Sequence, residues 1–402
     1  MPLVSISIRH ATAADRDAIT ALDSASFGTG WSDEQYADEL GVHDIERFVL
    51  AVENEQIVGI AADARLAMTV PGGELPVRGV TWVGVDVTHR RRGVLTALMR
   101  AQLSEYRDEG IPAAVLCASE SSIYGRFGYG AATFVRKTEI HRRRATLRTR
   151  GDATNVRRVA KDEARKRMPE IHERWRAQTP GAIARSDAMW DFVTLDKEHW
   201  RNGMSSMYYL LHDDGYIAYR VKSEWSEGDP RHLCWIADYV PVTPQAHHDL
   251  WQVLLDHDLV ARIESYHIPL DDPLPHLLTD GRQVRTTHVG DGVWVRPVDV
   301  AAMLTARTYA VDIDVVLDVR DELFGDRRVR LAGGPEGASC TSSDAPPDLT
   351  LDVSSLGALY LGGVRLAPLV AAGLVRVEDA TTSTRLDRAL LADRAPTHGT
   401  QI

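Results

Sequence analysis

Thr81-Trp82-Val83-Gly84-Val85-Asp86-Val87-Thr88-His89-Arg90-Arg91-Arg92-Gly93-Val94-Leu95-Thr96 is the stretch from which the fold is read. Its opening, taken with the preceding residue as Val80–Val87, is apolar and rich in valine, as a buried strand is. The strand runs directly into His89-Arg90-Arg91-Arg92-Gly93. After Gly93, Leu95, Met99, Leu103 and Tyr106 recur along one stripe of a helix, which Gly110 and Pro112 end. A helix N-terminus leaves backbone N–H groups unpaired and carries partial positive charge. Glycine there lets a ligand approach the backbone. Together they suit a diphosphate, and flanking arginines can reach additional phosphate. The same residues also suit a basic helix start with a solvated face. No Gly-Lys-Ser/Thr follows, so this is not a Walker loop.

Upstream, Val4, Ile6 and Ile8 alternate with serines, which predicts a half-buried strand. Thr12 with Asp15 three residues on predicts a helix cap, with Ile19 and Leu22 on the apolar side. Strands are expected at Phe48–Val52 and Gln56–Val70, joined by a turn at Glu53–Glu55 and ended by Pro71-Gly72-Gly73. Downstream, Ala113–Ala118 is a further strand. The order is that of a mixed α/β sheet with one strand–helix crossover.

The chain has 402 residues, enough for two or three domains. Hydrophobic residues make up 44% and charged residues 26%, a globular rather than disordered profile. The net charge of −11 disfavours a nucleic-acid partner. Cys117, Cys234 and Cys340 offer neither a disulfide framework nor zinc spacing, so no metal is expected. Reduced cysteines and no signal-peptide pattern predict a cytoplasmic protein, with leaderless secretion left open. No apolar run reaches the roughly 18 residues of a membrane span.

Basic residues between His141 and Arg150, then Gly151-Asp152, read as a linker. Behind it are strand-like Tyr216–Val221 and Leu233–Val242, then a helix at Ala246–His257. Val242-Thr243 echoes Val87-Thr88; aligned so, Gly93 falls on His248 and Leu95 on Leu250. This reads as a degenerate second copy of the first domain. A last block from near Trp294 contains strands at Val311–Val319 and Arg327–Ala332. An apolar helical stretch follows from Leu356-Gly357 to Ala372, with a shorter one at Leu386–Leu391. The expected domains are 1–150, 151–290 and 291–402.

Ser119-Glu120-Ser121-Ser122-Ile123-Tyr124-Gly125-Arg126-Phe127-Gly128-Tyr129 is the second informative segment. A tyrosine just past a strand end can present its phenol to a cleft, or it can be structural in a glycine-rich turn. With Arg90-x-x-Gly93-x-Leu95, the pattern Tyr124-x-Arg126-x-Gly128-Tyr129 resembles the Gcn5-related N-acetyltransferase (GNAT) superfamily. Leu95 departs from the small residue that superfamily carries there. The chain resembles one branch more closely, the enhanced intracellular survival (Eis) family of aminoglycoside and lysine acetyltransferases. Thr88–Gly93, Ile123–Gly130, Asp272–Asp280 and Leu359–Gly362 carry that likeness.

The resemblance implies tandem GNAT folds, the first active and the second degenerate, and a C-terminal domain like sterol carrier proteins. It implies acetyl-CoA as co-substrate, an amine acceptor and a homohexamer. It places pantetheine along Val83, Gly84 and Val85, and the diphosphate over Arg91, Arg92, Gly93, Val94, Leu95 and Thr96. It sets Ser119 and Glu120 against the co-substrate and makes Tyr124 the general acid. The base would be the C-terminal carboxylate of Ile402, although the branch tends to end in an aromatic residue and this chain does not. Phe27, Trp31 and Trp82 are candidates for the amine pocket or for plain core, and the resemblance favours the pocket for Phe27 and Trp82. Asp291 matches an acidic pocket residue or is an ordinary turn residue. A competing expectation is a non-catalytic scaffold that binds CoA or lipid.

Overall fold

The computed structural model describes residues 6–400. Its first sheet has seven strands in the order Ser7–His10, Phe48–Glu53, Gln56–Val70, Gly73–Val85, Ala113–Cys117, Val293–Pro297 and Gly130–Ala131. The hairpin of Gln56–Val70 with Gly73–Val85 is antiparallel along nearly its whole length. The strand expected at Val80–Val87 therefore starts seven residues earlier, because the partner strand reaches down to the Gly72 turn. The helix Val94–Asp108 buries Val94, Leu98, Met99, Leu103 and Tyr106 against this sheet, while Leu95 stays half-exposed. The expected Thr12–Asp15 cap forms, with the Thr12 backbone N–H donating to the Asp15 carboxylate at 2.8 Å.

The second sheet repeats the first strand for strand: Arg157–Val159, Tyr208–His212, Gly215–Lys222, His232–Pro241, Val260–Ile268, Phe134–His141 and Val284–Asp291. In both sheets the fourth and fifth strands are parallel and joined through a helix. Two GNAT-type folds are thus present, and they have exchanged a strand. Phe134–His141, which follows the first fold in sequence, pairs with Val260–Ile268 in the second. Val293–Pro297, which follows the second, pairs with Ala113–Cys117 in the first. Compact units accordingly cross at Thr133/Phe134 and Gly290/Asp291 and are discontinuous in sequence. The segment read as a linker from His141 lies directly behind a strand of the second sheet.

The echo holds as a fold and fails in register. The central helix is Pro244–Leu255, with the Thr243 hydroxyl accepting from the Ala246 N–H at 3.2 Å. Thr243, not His248, therefore stands at the helix start, where Gly93 stands in the first copy. The central helix follows its strand almost at once, with no counterpart of the long loop before Gly93.

A five-stranded sheet, Gly337–Ser342, Arg327–Gly334, Ile313–Arg320, Leu349–Asp352 and Val375–Val377, forms the C-terminal domain. The helix expected across Leu356–Ala372 is two, Val353–Leu359 and Leu366–Ala371. The chain breaks near Gly362, which sits at φ +80°. Val353–Leu359 packs on the strand Val293–Pro297, and Gly357 makes that approach possible. A Cβ on Gly357 would lie 2.1 Å from the Val295 carbonyl oxygen. Beside it, the fully buried Arg296 donates twice to Asp321, both at 2.9 Å. Gly357→Ala should cost about 1–3 kcal/mol by overpacking. Gly125→Ala, which would meet nothing within 4 Å, should stay within about 0.5 kcal/mol of the parent. Denaturant melts of the two variants check the difference.

Candidate active site

The parallel pairing of Gly73–Val85 with Ala113–Cys117 covers only Val77–Gly79 against Ala113–Val115. Beyond Gly79 the strands part. Trp82 sits at φ +51°, where the register against Gln56–Val70 shifts between Ile60 and Ala62. A bulge of this kind bends a strand and re-aims its backbone. One edge of Val83–Val85 is thereby left without a strand partner, and its amide groups face a cleft of about 740 Å³.

The cleft is lined by Val83, Gly84, Val85, Arg91, Gly93, Val94, Leu95, Thr96, Ser119, Glu120 and Tyr124. Eleven residues singled out in sequence as co-substrate contacts or acid are thus one surface. Phe27 joins them and is 48% exposed, unusual for a phenylalanine in a folded chain. Arg92, Trp31, Trp82 and Asp291 do not line the cleft. Arg92 donates to Glu53 at 2.7 Å. Asp291 accepts from the Trp294 indole N–H. Trp82 packs on Phe48, His43 and Tyr36, with ring centroids 5.5, 6.0 and 6.1 Å away, and Trp31 stacks edge-on against Tyr36 at 5.3 Å. Ile402 lies outside the described residues.

Asp86 to Gly93 forms the loop at the mouth of the helix. Arg91, at φ +61°, and Gly93, at φ +87°, both adopt left-handed backbone. For arginine that conformation costs about 1 kcal/mol or more. A Cβ on Gly93 would meet nothing within 4 Å, so glycine serves the turn, and open space lies above it. The buried Glu53 pins the loop from below: it accepts from Arg92 and lies 3.0 Å from His89 Nε2. Arg90 donates to the Ser26 carbonyl at 3.1 Å. Among the described residues Arg91 makes no such bond, and it lines the cleft together with Arg90. The unpaired N–H groups of the Val94–Asp108 helix start and the free guanidinium suit an anion.

Tyr124 closes the far side. It is 6% exposed, and burial together with the Glu120 carboxylate pushes its phenol up to about 12. Tyr129 stands behind it, fully buried, with ring centroids 5.9 Å apart. Tyr129 packs the wall of the site and does not reach the cleft.

Sequence reading missed an acidic patch beside the aromatic residues. Asp23 lies one turn before Phe27 on the helix Arg16–Phe27 and is 6% exposed. Burial raises its pKa, and Tyr36 donates to it at 3.1 Å. Burial, Asp23 and Asp38 push Glu39 up to about 7. A cation placed near either carboxyl would favour its charged form. The only sequence trace is the Asp38-Glu39 pair on an amphipathic helix, where a solvated face is the commoner reading.

Residues 7–132 match an acetyltransferase (GNAT) domain family, residues 181–297 a second acetyltransferase (GNAT) domain family and residues 300–399 a sterol carrier protein domain family. With the parted strands and the helix opened by Gly93, these define a GNAT-type acetyltransferase, a class whose co-substrate is acetyl-CoA. The N-acetyltransferase Eis of Mycobacterium tuberculosis is 39% identical over 349 residues, 84% of either chain, and that of Mycobacterium bovis agrees equally well. The crystal structure of Eis1 from Mycobacterium abscessus superposes with a TM-score of 0.88 at 32% identity, covering 98% of this chain and 100% of that one. A GCN5-related N-acetyltransferase from Anabaena variabilis shares the fold at 19% identity and a TM-score of 0.87. The chain belongs to the Eis family of N-acetyltransferases.

Arg91, which lines the cleft, should reach the diphosphate directly. Arg91→Ala should weaken CoA binding about tenfold or more, the loss of a charge-assisted contact worth about 1.5–3 kcal/mol. Titration calorimetry with CoA checks this; unchanged affinity would remove Arg91 from the site.

Proposed function

We propose that the chain transfers acetyl from acetyl-CoA to primary amines of polyamino, aminoglycoside-like small molecules and to lysine side chains. The observation that carries this reading is the cleft itself. An unpaired strand edge, an anion-ready helix start and a buried phenol surround one volume, with a cation-attracting patch beside it.

An amine attacks only when neutral. Deprotonating an ordinary alkylamine at pH 7 costs about 4.6 kcal/mol. The new N–C bond forms as the thioester carbonyl oxygen takes negative charge, which backbone N–H groups of Val83–Val85 stabilise. The C–S bond then breaks, its electron pair goes to sulfur, and Tyr124 supplies the proton. From a phenol near 12 to a thiolate of ordinary pKa about 8.5, that transfer is uphill by about 5 kcal/mol. The thiolate would leave into the same desolvated cleft, which raises its own proton affinity and narrows the gap. The proton lost by the amine goes to water oriented by the C-terminal carboxylate of Ile402, whose pKa is too low to take it outright. Asp23 and Glu39 favour a cationic acceptor, with Phe27, which lines the cleft, as an apolar wall. No metal takes part in this scheme. We also infer a homohexamer, from the family likeness.

Thiol release from acetyl-CoA, followed with aminoglycosides, polyamines and lysine peptides, should appear only when an amine is present. Release without amine dependence would point to a hydrolase, and no release with any amine to a non-catalytic scaffold. Tyr124→Phe should lower kcat by about 10²-fold or more, with little change in KM for acetyl-CoA; full turnover would overturn the assignment. The pH profile carries a sign. An acid acts while protonated, and a phenol near 12 stays protonated through the neutral and alkaline range. The rate should therefore rise with pH as the amine deprotonates, and show no fall on the alkaline side below about pH 10. A descending limb near pH 9 that Tyr124→Phe abolishes would contradict the buried-acid reading.

A further inference from the structure

Four basic side chains line the cleft: His89, Arg90, Arg91 and Arg126. Among the described residues its lining holds one carboxylate, Glu120. The chain as a whole carries −11, so the cleft is a local excess of positive charge. Two of the four bases are committed within the protein. His89 lies 3.0 Å from Glu53 and 3.3 Å from Asp86. Arg90 donates to the Ser26 carbonyl at 3.1 Å. Arg91 and Arg126 make neither a hydrogen bond nor an ion pair among the described residues, and both face the cleft.

These two cations come from different elements. Arg91 stands in the loop before the helix Val94–Asp108. Arg126 stands in the turn Gly125–Phe127, directly after Tyr124. That turn is firmly set. The Gly128 N–H donates to the Gly125 carbonyl at 2.9 Å, with Gly128 at φ +84°. A Cβ on Gly128 would lie 2.7 Å from Val353 Cγ1, so the turn is pressed against the start of the Val353–Leu359 helix. Phe127 is buried, and the Arg126 guanidinium lies over its ring, 5.0 Å from the centroid. An arginine resting on an aromatic face keeps its charge and its fork of N–H donors. Arg126 is thus supported from below without a carboxylate to neutralise it.

A cationic acceptor would be repelled by such a group, so Arg126 suits the anionic ligand of the cleft. CoA carries two separate anionic groups, the diphosphate and the 3′-phosphate of its ribose. The helix start and Arg91 answer to the first. The second is a phosphomonoester with a charge of about −1.5 to −2 at pH 7, which a guanidinium can meet with two parallel N–H bonds. We infer that Arg126 is a specificity-determining residue for the 3′-phosphate of CoA. This rests on the reading of the cleft as the acetyl-CoA site.

Titration calorimetry of the full-length protein with CoA and with 3′-dephospho-CoA tests the assignment without using catalysis. The parent should bind CoA about tenfold or more tightly than dephospho-CoA. Arg126→Ala should weaken CoA by that same factor and leave dephospho-CoA unchanged, so that the preference disappears. Arg126→Lys, which keeps the charge and loses the fork, should keep part of it. Arg91→Ala should weaken both compounds alike and preserve the preference, which shows that a loss of preference is not a general effect of weaker binding. Matching melting curves for the parent and Arg126→Ala exclude a folding defect. If the parent binds both compounds equally, or if a folded Arg126→Ala weakens both alike, Arg126 does not read the 3′-phosphate. A parent that binds neither compound would overturn the reading of the cleft and the role of Arg126 with it.

Discussion

The pairing that stops at Gly79 is the constraint on which the site depends. Were Gly73–Val85 and Ala113–Cys117 paired to their ends, the amides of Val83–Val85 would be spent within the sheet and no cleft would open. Two features hold the strands apart. The bulge at Trp82 turns one strand away, and Val293–Pro297 occupies the far edge of the other, so Ala113–Cys117 is committed on its other side. The left-handed Arg91 and Gly93 then bend the chain back so that the helix start faces the same opening. Backbone geometry sets N–H donors at the cleft, and Tyr124 and Arg91 bring side chains to its lining.

What was legible in the sequence was what is local. The diphosphate loop and the tyrosine segment are each carried within about a dozen consecutive residues, and the structure sets both around one cleft. The aromatic and acidic patch was only half legible. Trp82 and Trp31 stand out as residue types, but Asp23, Tyr36 and Glu39 meet only because the helix Asp33–Leu40 folds onto Arg16–Phe27, a tertiary event without periodic signature. Glu53 was invisible for the same reason: nothing in a glutamate at a turn announces that it will anchor a loop nearly forty residues away.

The strand exchange explains why no cut in the sequence yields the domains. Phe134–His141 and Val293–Pro297 are ordinary strands whose residues do not encode which sheet they join. A sheet position flanked on both sides asks for alternating or apolar residues, and either strand satisfies that demand. The exchange makes each GNAT-type fold incomplete without a segment donated from beyond the other. Separate excision of residues 1–150 would remove Val293–Pro297 and leave Ala113–Cys117 with an open edge, a poor outcome for solubility.

The central copy shows what is lost when the loop is lost. Its sheet is intact, and its helix is well capped by Thr243, but the helix begins almost where the strand ends. Among the described residues no left-handed turn leads into this helix, and the Thr243 hydroxyl takes one of the N–H groups that an anion would use. A capped helix and an anion-binding helix compete for the same donors. In the first copy Gly93 has no side chain to compete, so those donors stay free. The two helix starts differ in that a threonine side chain caps one and glycine leaves the other uncapped.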